Sequence, residues 1–524
     1  MYQLFEKRIA RLLSSQQQGL IQKGLIGLEK ETLRVGPDGK IAQTPHPHAL
    51  GSALTHPYIT TDYSEALTEI ITPPFDNPLD ALAFLRDTQA FVYRHLGDEI
   101  LWATSMPCVM AGDTNIPIAN YGHSNAGIMK TAYRRGLGHR YGRSMQVIAG
   151  VHFNYSVPEV FWPAYQQIEG DTSSLQDFIS DQYFALIRNL LRFGWLVPYL
   201  FGASPAVCKS FLAGKQTALE EFDDNTFYET FATSLRMGDI GYQNNKEKAI
   251  GVRANYDSLQ TYIESLSAAI NTPYPGYEKF GICINGEFQQ LNTNILQIEN
   301  EYYSTVRPKQ LLRGNEKPTL ALKKRGVRYI ELRSLDVNAF DPLGINDRQV
   351  YFLEIFMLFC LLHESPGFTN DEQAAIDRNE LLTAHQGRSR DCQLISNTQG
   401  RPLQSWAQEL CTQMQVIAEL LDSGKGGNVY QEALSRQVER IRNPEATPSA
   451  RMLSTMRENH EGFFDFALRM SREHEAYFKQ TQLSSDSLRR YQEWADKSHS
   501  DQRDMETAET LSFPEYLANY FAQN

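Results

Sequence analysis

Between Gln146 and Ser156 the chain alternates, with Val147, Ala149, Val151, Phe153 and Tyr155 at odd positions and Gln146, Gly150, His152, Asn154 and Ser156 at even ones, Ile148 being the one apolar residue in the even set. Successive strand side chains point to opposite faces, so this segment predicts a strand with one apolar and one polar face. A central strand of that kind lines either water or a site on its polar side. A histidine in such a place is either a hydrogen-bonded structural residue or a contact to a ligand or phosphate.

Other segments put carboxylates on strands. In Gly27-Leu28-Glu29-Lys30-Glu31-Thr32-Leu33-Arg34-Val35, closed by the Pro37-Asp38-Gly39 turn, a strand projects Glu29 and Glu31 from one face about 6.6 Å apart, a spacing metal ions can use. The other reading is an edge strand with two solvated glutamates. From Ile59 to Pro73 come Asp62, Glu65 and Glu69; if Leu67 to Thr72 is a strand, Glu69 points with Leu67 and Ile71, and if the segment is a helix, Glu65 and Glu69 stack on a wet face. From Arg328 to Asp336, Glu331 and Arg333 share one strand face and Ile330 and Leu332 the other; this is either a metal ligand beside a phosphoryl-neutralising arginine or a plain ion pair. The stretch Leu296 to Tyr303, leading to Arg307 and Lys309, is dense in acids, amides and aromatics but shows no alternation from which faces can be assigned.

Composition narrows the function. With 42% hydrophobic and 21% charged residues over 524 positions, the chain affords a sizeable core. Its 62 acidic against 50 basic residues give a net charge of −12, which argues against a nucleic-acid surface and suits carboxylates collected around divalent cations. The apolar run from Phe193 to Cys208 is broken by glycines and prolines, so no membrane helix is expected, and the first residues read as an amphipathic helix rather than a signal peptide. Six scattered cysteines predict a reducing compartment, the cytoplasm, with neither a disulfide framework nor a zinc site. Residues 1 to about 345 read as mixed strand and helix and about 346 to 524 as helical; with no linker or repeat between them, they are expected to form one domain, 1–524, the helical part packed on the mixed part.

Walker A, HExxH, GxSxG and CxxC patterns are absent. At least five acids on several strands, a histidine and arginines remain; such carboxylates repel one another unless cations lie among them, so a multi-Mg²⁺ site for a polyphosphate substrate is the economical reading.

The motifs Gly27 to Val35, His56 to Pro73, Ser105 to Pro107, Tyr141 to Tyr155, Arg192 to Pro205, Thr233 to Arg236, Leu296 to Lys309 and Tyr329 to Asp336, in this order, resemble the proteobacterial type of glutamate–cysteine ligase (γ-glutamylcysteine synthetase). The resemblance implies an α+β fold similar to the glutamine synthetase catalytic domain, a curved antiparallel sheet forming a funnel with helices outside. It implies the first step of glutathione synthesis: ATP, L-glutamate and L-cysteine give γ-glutamylcysteine, ADP and phosphate through a γ-glutamyl phosphate.

By the same resemblance, Glu29, Glu31, Asp62, Glu69, His152 and Glu331 are the ligands of Mg²⁺, or of Mn²⁺ in its place. Arg333 stabilises the transferring phosphoryl; Arg236 pairs with the α-carboxylate of glutamate, with Gln146, Ile148 and Asn300 nearby; Tyr63, Tyr133, Leu137, Tyr242 and Tyr303 form the cysteine pocket. Tyr63 stands where a family member has phenylalanine, which makes the acceptor pocket more polar. Arg307 and Lys309 are assigned to the phosphates of ATP from their charge alone. The length leaves no room for the ATP-grasp domain of fused enzymes, so only the dipeptide is expected. A monomer inhibited by glutathione is a further family expectation. A ligase for another amine, or a noncatalytic metal-binding protein of the same fold, are the competing readings.

Overall fold

The computed structural model describes residues 2–15, 17–108, 112–241, 251, 253–396, 398–424 and 426–523. Its organising element is strand β1 (Leu25–Val35), eleven residues buried along nearly their whole length. Burial on both faces marks a central strand, and β1 pairs with three others. The remaining strands of its sheet are β2 (Ile59–Thr61), β3 (Leu67–Ile71), β4 (Ile100–Leu101), β5 (Val151–Ser156), β6 (Val306–Lys309) and β7 (Tyr329–Leu335). They lie in the order β6-β7-β5-β1-β3-β2, with β4 on the end of β1, and every pairing is antiparallel. The register sets Glu29 opposite His152, Glu31 opposite Glu69, Asn154 opposite Glu331 and Glu331 opposite Arg307. Alternation then does the rest: the fully buried Leu28, Phe153, Tyr155 and Ile330 face the core, while the polar residues between them share the other face.

Two sequence expectations change here. Glu69 lies on a strand, so the helical alternative for residues 65–69 falls. The strand expected from Gln146 begins only at Val151, because Ser144–Val147 is a 3₁₀ turn. The Asp113 carboxylate accepts the backbone N–H groups of Arg143 and Ser144, and that cap holds the chain out of the sheet.

The principal helices are α1 (Gln3–Ser14), α2 (Asn125–Tyr141), α3 (Leu175–Phe193), α4 (Asp347–Leu362), α5 (Leu403–Asp422), α6 (Val429–Arg442), α7 (Ser485–Ala508) and α8 (Phe513–Phe521). Helix α4 begins at a capping box on Asn346 and is buried from Gln349 to Leu362. A helix apolar on every side must be surrounded, and α3, α5 and α6 all pack against it. Core residues of the mixed part, such as Leu28 and Phe153, and of the helical part, such as Phe356 and Leu410, belong to one continuous cluster. The helical part also carries a hairpin, Gln393–Ser396 with Gln399–Pro402, which the helical reading missed. Phe356, fully buried and 6.2 Å from the Phe352 ring, tests this core. Phe356→Ala is expected to cost about 3–5 kcal/mol, seen as a lower denaturant midpoint at unchanged slope.

The cysteines depart from expectation as well. Cys108 and Cys208 form a disulfide with Cα atoms 5.5 Å apart, across a separation of 100 residues that no spacing motif could reveal. Cys360, Cys392 and Cys411 are buried free thiols and Cys283 is exposed. Among the described residues, no helix is long and apolar enough to cross a membrane.

Candidate active site

The polar face of the sheet forms the floor of a cleft of about 730 Å³. Three neighbouring strands bring Glu29, His152 and Glu331 together, so that one donor atom from each lies within 4.8 Å of the others. His152 Nδ1 is 3.0 Å from Glu29 Oε2 and 3.6 Å from Glu331 Oε1, and its Nε2 is 3.5 Å from Glu31 Oε1. Asn154 Nδ2 donates to the other oxygen of Glu29 at 2.9 Å, and the Gly150 N–H donates to Glu31 at 2.7 Å. Gly150 is required there, since a Cβ would lie 2.1 Å from Arg236 Nη2.

Charge is distributed unevenly over this floor. Glu331, 1% exposed, has Lys309 Nζ at 2.9 Å and Arg333 Nη1 at 2.8 Å. Burial alone would raise its pKa, but Lys309, Arg333 and His152 together hold it well below the usual carboxylate range. Glu29 is lowered for a related reason: burial is the largest single influence and raises it, as does Glu331, but the hydrogen bond and charge interaction with His152 together with the charge of Lys309 outweigh them. Glu69 goes the other way: burial first, then Glu29, Asp62 and Glu31, push it well above the ordinary value. Burial likewise raises Glu31. Glu31 and Glu69 face each other across adjacent strands, an arrangement that destabilises the sheet unless a cation or a proton intervenes.

One wall belongs to α2. Tyr133 and Leu137 lie one turn apart on it, and Tyr63 packs so closely that a Cβ at Gly138 would be 2.5 Å from its hydroxyl oxygen. The opposite wall is the stretch without alternation, which is no strand: bends lead into a 3₁₀ turn, Glu299–Glu301, placing Asn300 and Tyr303 at the cleft. Gln146 Nε2 reaches Tyr303 Oη at 3.2 Å, and Arg307 Nη2 donates to the carbonyls of Asn300 and Tyr302 at 2.9 and 2.7 Å. Behind the wall, Arg140 and Glu301 form a fully buried ion pair at 2.9 Å that ties α2 to this turn.

Sixteen residues singled out in the sequence line the cleft: Glu29, Glu31, Asp62, Tyr63, Glu69, Tyr133, Leu137, Gln146, Ile148, His152, Asn300, Tyr303, Arg307, Lys309, Glu331 and Arg333. Arg236 does not. It is 1% exposed, donating from Nη2 to the Arg333 carbonyl at 2.9 Å, with Nη1 3.7 Å from Asp336. Tyr242 lies outside the described residues. The sequence reading missed Lys130 and Arg134, on the same helix as Tyr133 and Leu137, and Arg134 Nη2 lies 3.9 Å from Asp62. It also missed Met505, Glu509, Tyr516 and Tyr520, which close the cleft from α7, α8 and the link between them. Helical spacing offered a signal for the first pair, Lys130 standing three residues before Tyr133 and Arg134 three before Leu137; nothing local marks the second group.

Comparison with known proteins places the whole chain in a family. The family model described as glutamate-cysteine ligase matches residues 9–382. The chain is 49% identical to a glutamate–cysteine ligase of Alcanivorax borkumensis over 98% of this chain and 99% of that one. It is 47% identical to one of Pseudomonas paraeruginosa over 100% and 98%. Among solved structures, the glutamate–cysteine ligase of Francisella tularensis in complex with AMP superposes with a TM-score of 0.89 at 34% identity, covering 95% of this chain and 98% of that one. By the family match and by relatives of nearly half-identical sequence over its whole length, this chain belongs to the glutamate–cysteine ligase family.

Proposed function

We propose that the protein joins the γ-carboxylate of L-glutamate to the amine of L-cysteine at the expense of ATP, giving γ-glutamylcysteine, ADP and phosphate, the first step of glutathione synthesis. The observation that carries this reading is the floor of the cleft, where carboxylates from four strands or their edges meet a cluster of Lys309, Arg307 and Arg333. A carboxylate is a poor acyl donor. Its γ-oxygen therefore takes the terminal phosphoryl of ATP, releasing ADP; the free amine of cysteine then attacks the acyl carbon and phosphate departs.

The donors fit Mg²⁺, or Mn²⁺: carboxylate oxygens dominate, and the opposed Glu31 and Glu69 call for positive charge between them. Glu29, Glu31, Asp62, Glu69, His152 and Glu331 would hold such ions, which when bound screen the anions of ATP and glutamate from each other. Arg333 reaches the transferring phosphoryl, Arg307 and Lys309 hold the remaining phosphates, and Gln146, Ile148 and Asn300 line the glutamate site. Tyr63, Tyr133, Leu137 and Tyr303 wall the acceptor pocket, with Tyr242 added on the family resemblance. Arg236 is supported as the residue that fixes the Arg333 backbone; its contact with the α-carboxylate of glutamate is proposed on the resemblance alone. So are the glutamine-synthetase-like funnel, the cytoplasmic monomer and inhibition by glutathione. The shared core of the two parts supports one catalytic unit over 1–524.

The test is ADP release from purified protein with Mg²⁺, ATP and L-glutamate, supplied separately with L-cysteine, 2-aminobutyrate, ammonia or no acceptor, and product identification by mass. Cysteine-dependent ADP with γ-glutamylcysteine is expected. Turnover with another amine alone would overturn the acceptor pocket; none with any would overturn the ligase reading.

A further inference from the structure

Away from the cleft, one imidazole joins two stretches that are distant in sequence. His385 stands in the last turn of the helix Asn370–Gln386, and its two ring nitrogens meet two carboxylates of a single loop. Nδ1 is 2.6 Å from Glu229 Oε2, and Nε2 is 3.0 Å from Asp239 Oδ1. A neutral imidazole has one N–H and one lone pair, so it satisfies one carboxylate and turns a lone pair on the other. Only the imidazolium donates to both. The helix end favours that charge, because its last carbonyls carry partial negative charge. Arg388, the neighbouring cation on the helix side, is turned elsewhere, to Glu445 and to the carbonyls of Thr230 and Ala232. The hydrogen bond to Glu229, with the charges of Glu229 and Asp239, outweighs burial and raises the pKa of His385 above the ordinary 6.5.

The loop held in this way carries Arg236 between its two anchors. Its first half docks on the helix end through its backbone, the N–H groups of Thr233 and Ser234 donating to the Ala384 carbonyl at 2.8 and 3.3 Å. Its second half is a tight turn, with the Met237 N–H on the Ser234 carbonyl and the Gly241 N–H on the Gly238 carbonyl, and the Asp239 side chain ties that turn back to the helix. Gly238 passes close over the ring, where a Cβ would lie 2.9 Å from Nε2. Within this turn Arg236 donates to the Arg333 carbonyl. We infer that His385, as an imidazolium bridging Glu229 and Asp239, is a positioning residue for the ligation: it fixes the turn that carries Arg236, and through it the backbone of Arg333, and it releases Asp239 on losing its proton. Asp239 is the carboxylate released because it is the longer and more exposed contact, 60% exposed against 18% for Glu229. The inference rests on the ligase reading for the role of Arg333.

A histidine whose folded-state pKa is raised contributes its full stabilisation below about pH 6.5 and loses it as pH climbs through the raised value. His385→Ala removes the bridge: at about pH 6.5, kcat is expected to fall roughly tenfold and KM for ATP to stay within about twofold of wild type, as for a displaced rather than a deleted reacting group. His385→Arg offers donors to both carboxylates and does not titrate. Its kcat relative to wild type is therefore expected to rise from about one at pH 6.5 to roughly three- to tenfold at pH 8.5, which keeps the test readable if the alanine variant folds poorly. Asp239→Asn is expected to show the same rise, since the new amide donates to the lone pair of the neutral ring. Hydrogen exchange of residues 230–241, corrected for the intrinsic rate, reads the turn without turnover: protection is expected to fall with rising pH in wild type and to hold in His385→Arg. A ratio of variant to wild-type kcat that does not change with pH, or wild-type protection that does not fall, would overturn the assignment. Loss of protection cured by His385→Arg, with no dipeptide formed by any form of the protein, would overturn the ligase reading and sustain the bridge.

Discussion

Arg333→Ala is expected to lower turnover by roughly 1,000-fold while ATP binding weakens far less, because an arginine on a transferring phosphoryl acts mainly in the transition state. Contacts on both its guanidinium and its backbone fix this side chain. Its Nη1 lies 2.8 Å from Glu331 and 3.5 Å from His152 Nδ1, and its carbonyl accepts a hydrogen bond from the buried Arg236. Lysine at this position presents a point charge without the planar fork, so Arg333→Lys is expected to recover only part of the loss. ADP release and mass detection of the dipeptide measure both variants. A folded Arg333→Ala protein within tenfold of wild type would remove Arg333 from the chemistry.

The second large effect concerns Glu69. Burial and the carboxylates of Glu29, Asp62 and Glu31 raise its pKa well above the ordinary 4.5. At Glu69 the metal-free folded protein therefore binds a proton that the unfolded chain has already released, and the contribution of this group to stability falls as pH rises from about 4.5 through the raised value. Glu331 shifts the opposite way, but its stabilising contribution is complete above its unfolded value and adds no slope in that window. Mg²⁺ binding at neutral pH is expected to restore stability by mass action. Glu69→Gln removes the titrating charge: the metal-free variant is expected to melt higher at neutral pH, with a flatter pH dependence and a smaller rise on adding Mg²⁺, while turnover drops by roughly 100-fold or more. Melting temperatures at several pH values, with and without Mg²⁺, decide the matter. A pH dependence of Tm that is the same in Glu69→Gln as in wild type, or a full Mg²⁺ response in the variant, would contradict the account.

Period-two alternation is clear in β5, which packs one face on the core, and placed His152 and Asn154 on its polar face; β1 mixes Lys30 and Arg34 with Ile26 and Leu28 on one parity, so alternation left its acids open and only the family resemblance named them as ligands. Gln146 was misplaced on a strand since the cap from Asp113 comes from 30 residues away, and alternation cannot sense a distant cap. Residues Leu296 to Tyr303 gave no faces because bends and a 3₁₀ turn have none to give. Glu509 and Tyr520 were invisible for another reason: they reach the cleft only by tertiary packing, as in the contact of Glu509 with Asn125 across 384 residues. Arg236 came from a motif and not from alternation; its guanidinium is buried against Gly150 and does not line the cleft.

The cleft draws its parts from two kinds of backbone. Most of the carboxylates and the bases assigned above to the phosphoryl step are fixed in a hydrogen-bonded ladder, where a change of register would move all of them at once; the walls assigned to the acceptor stand on α2, on a 3₁₀ turn and on helices near residue 510. On those assignments, phosphoryl chemistry and choice of amine rest on separate pieces of backbone. A lineage of such enzymes can exchange one nucleophile for another through substitutions at the rim, while the ladder that activates glutamate is passed on intact.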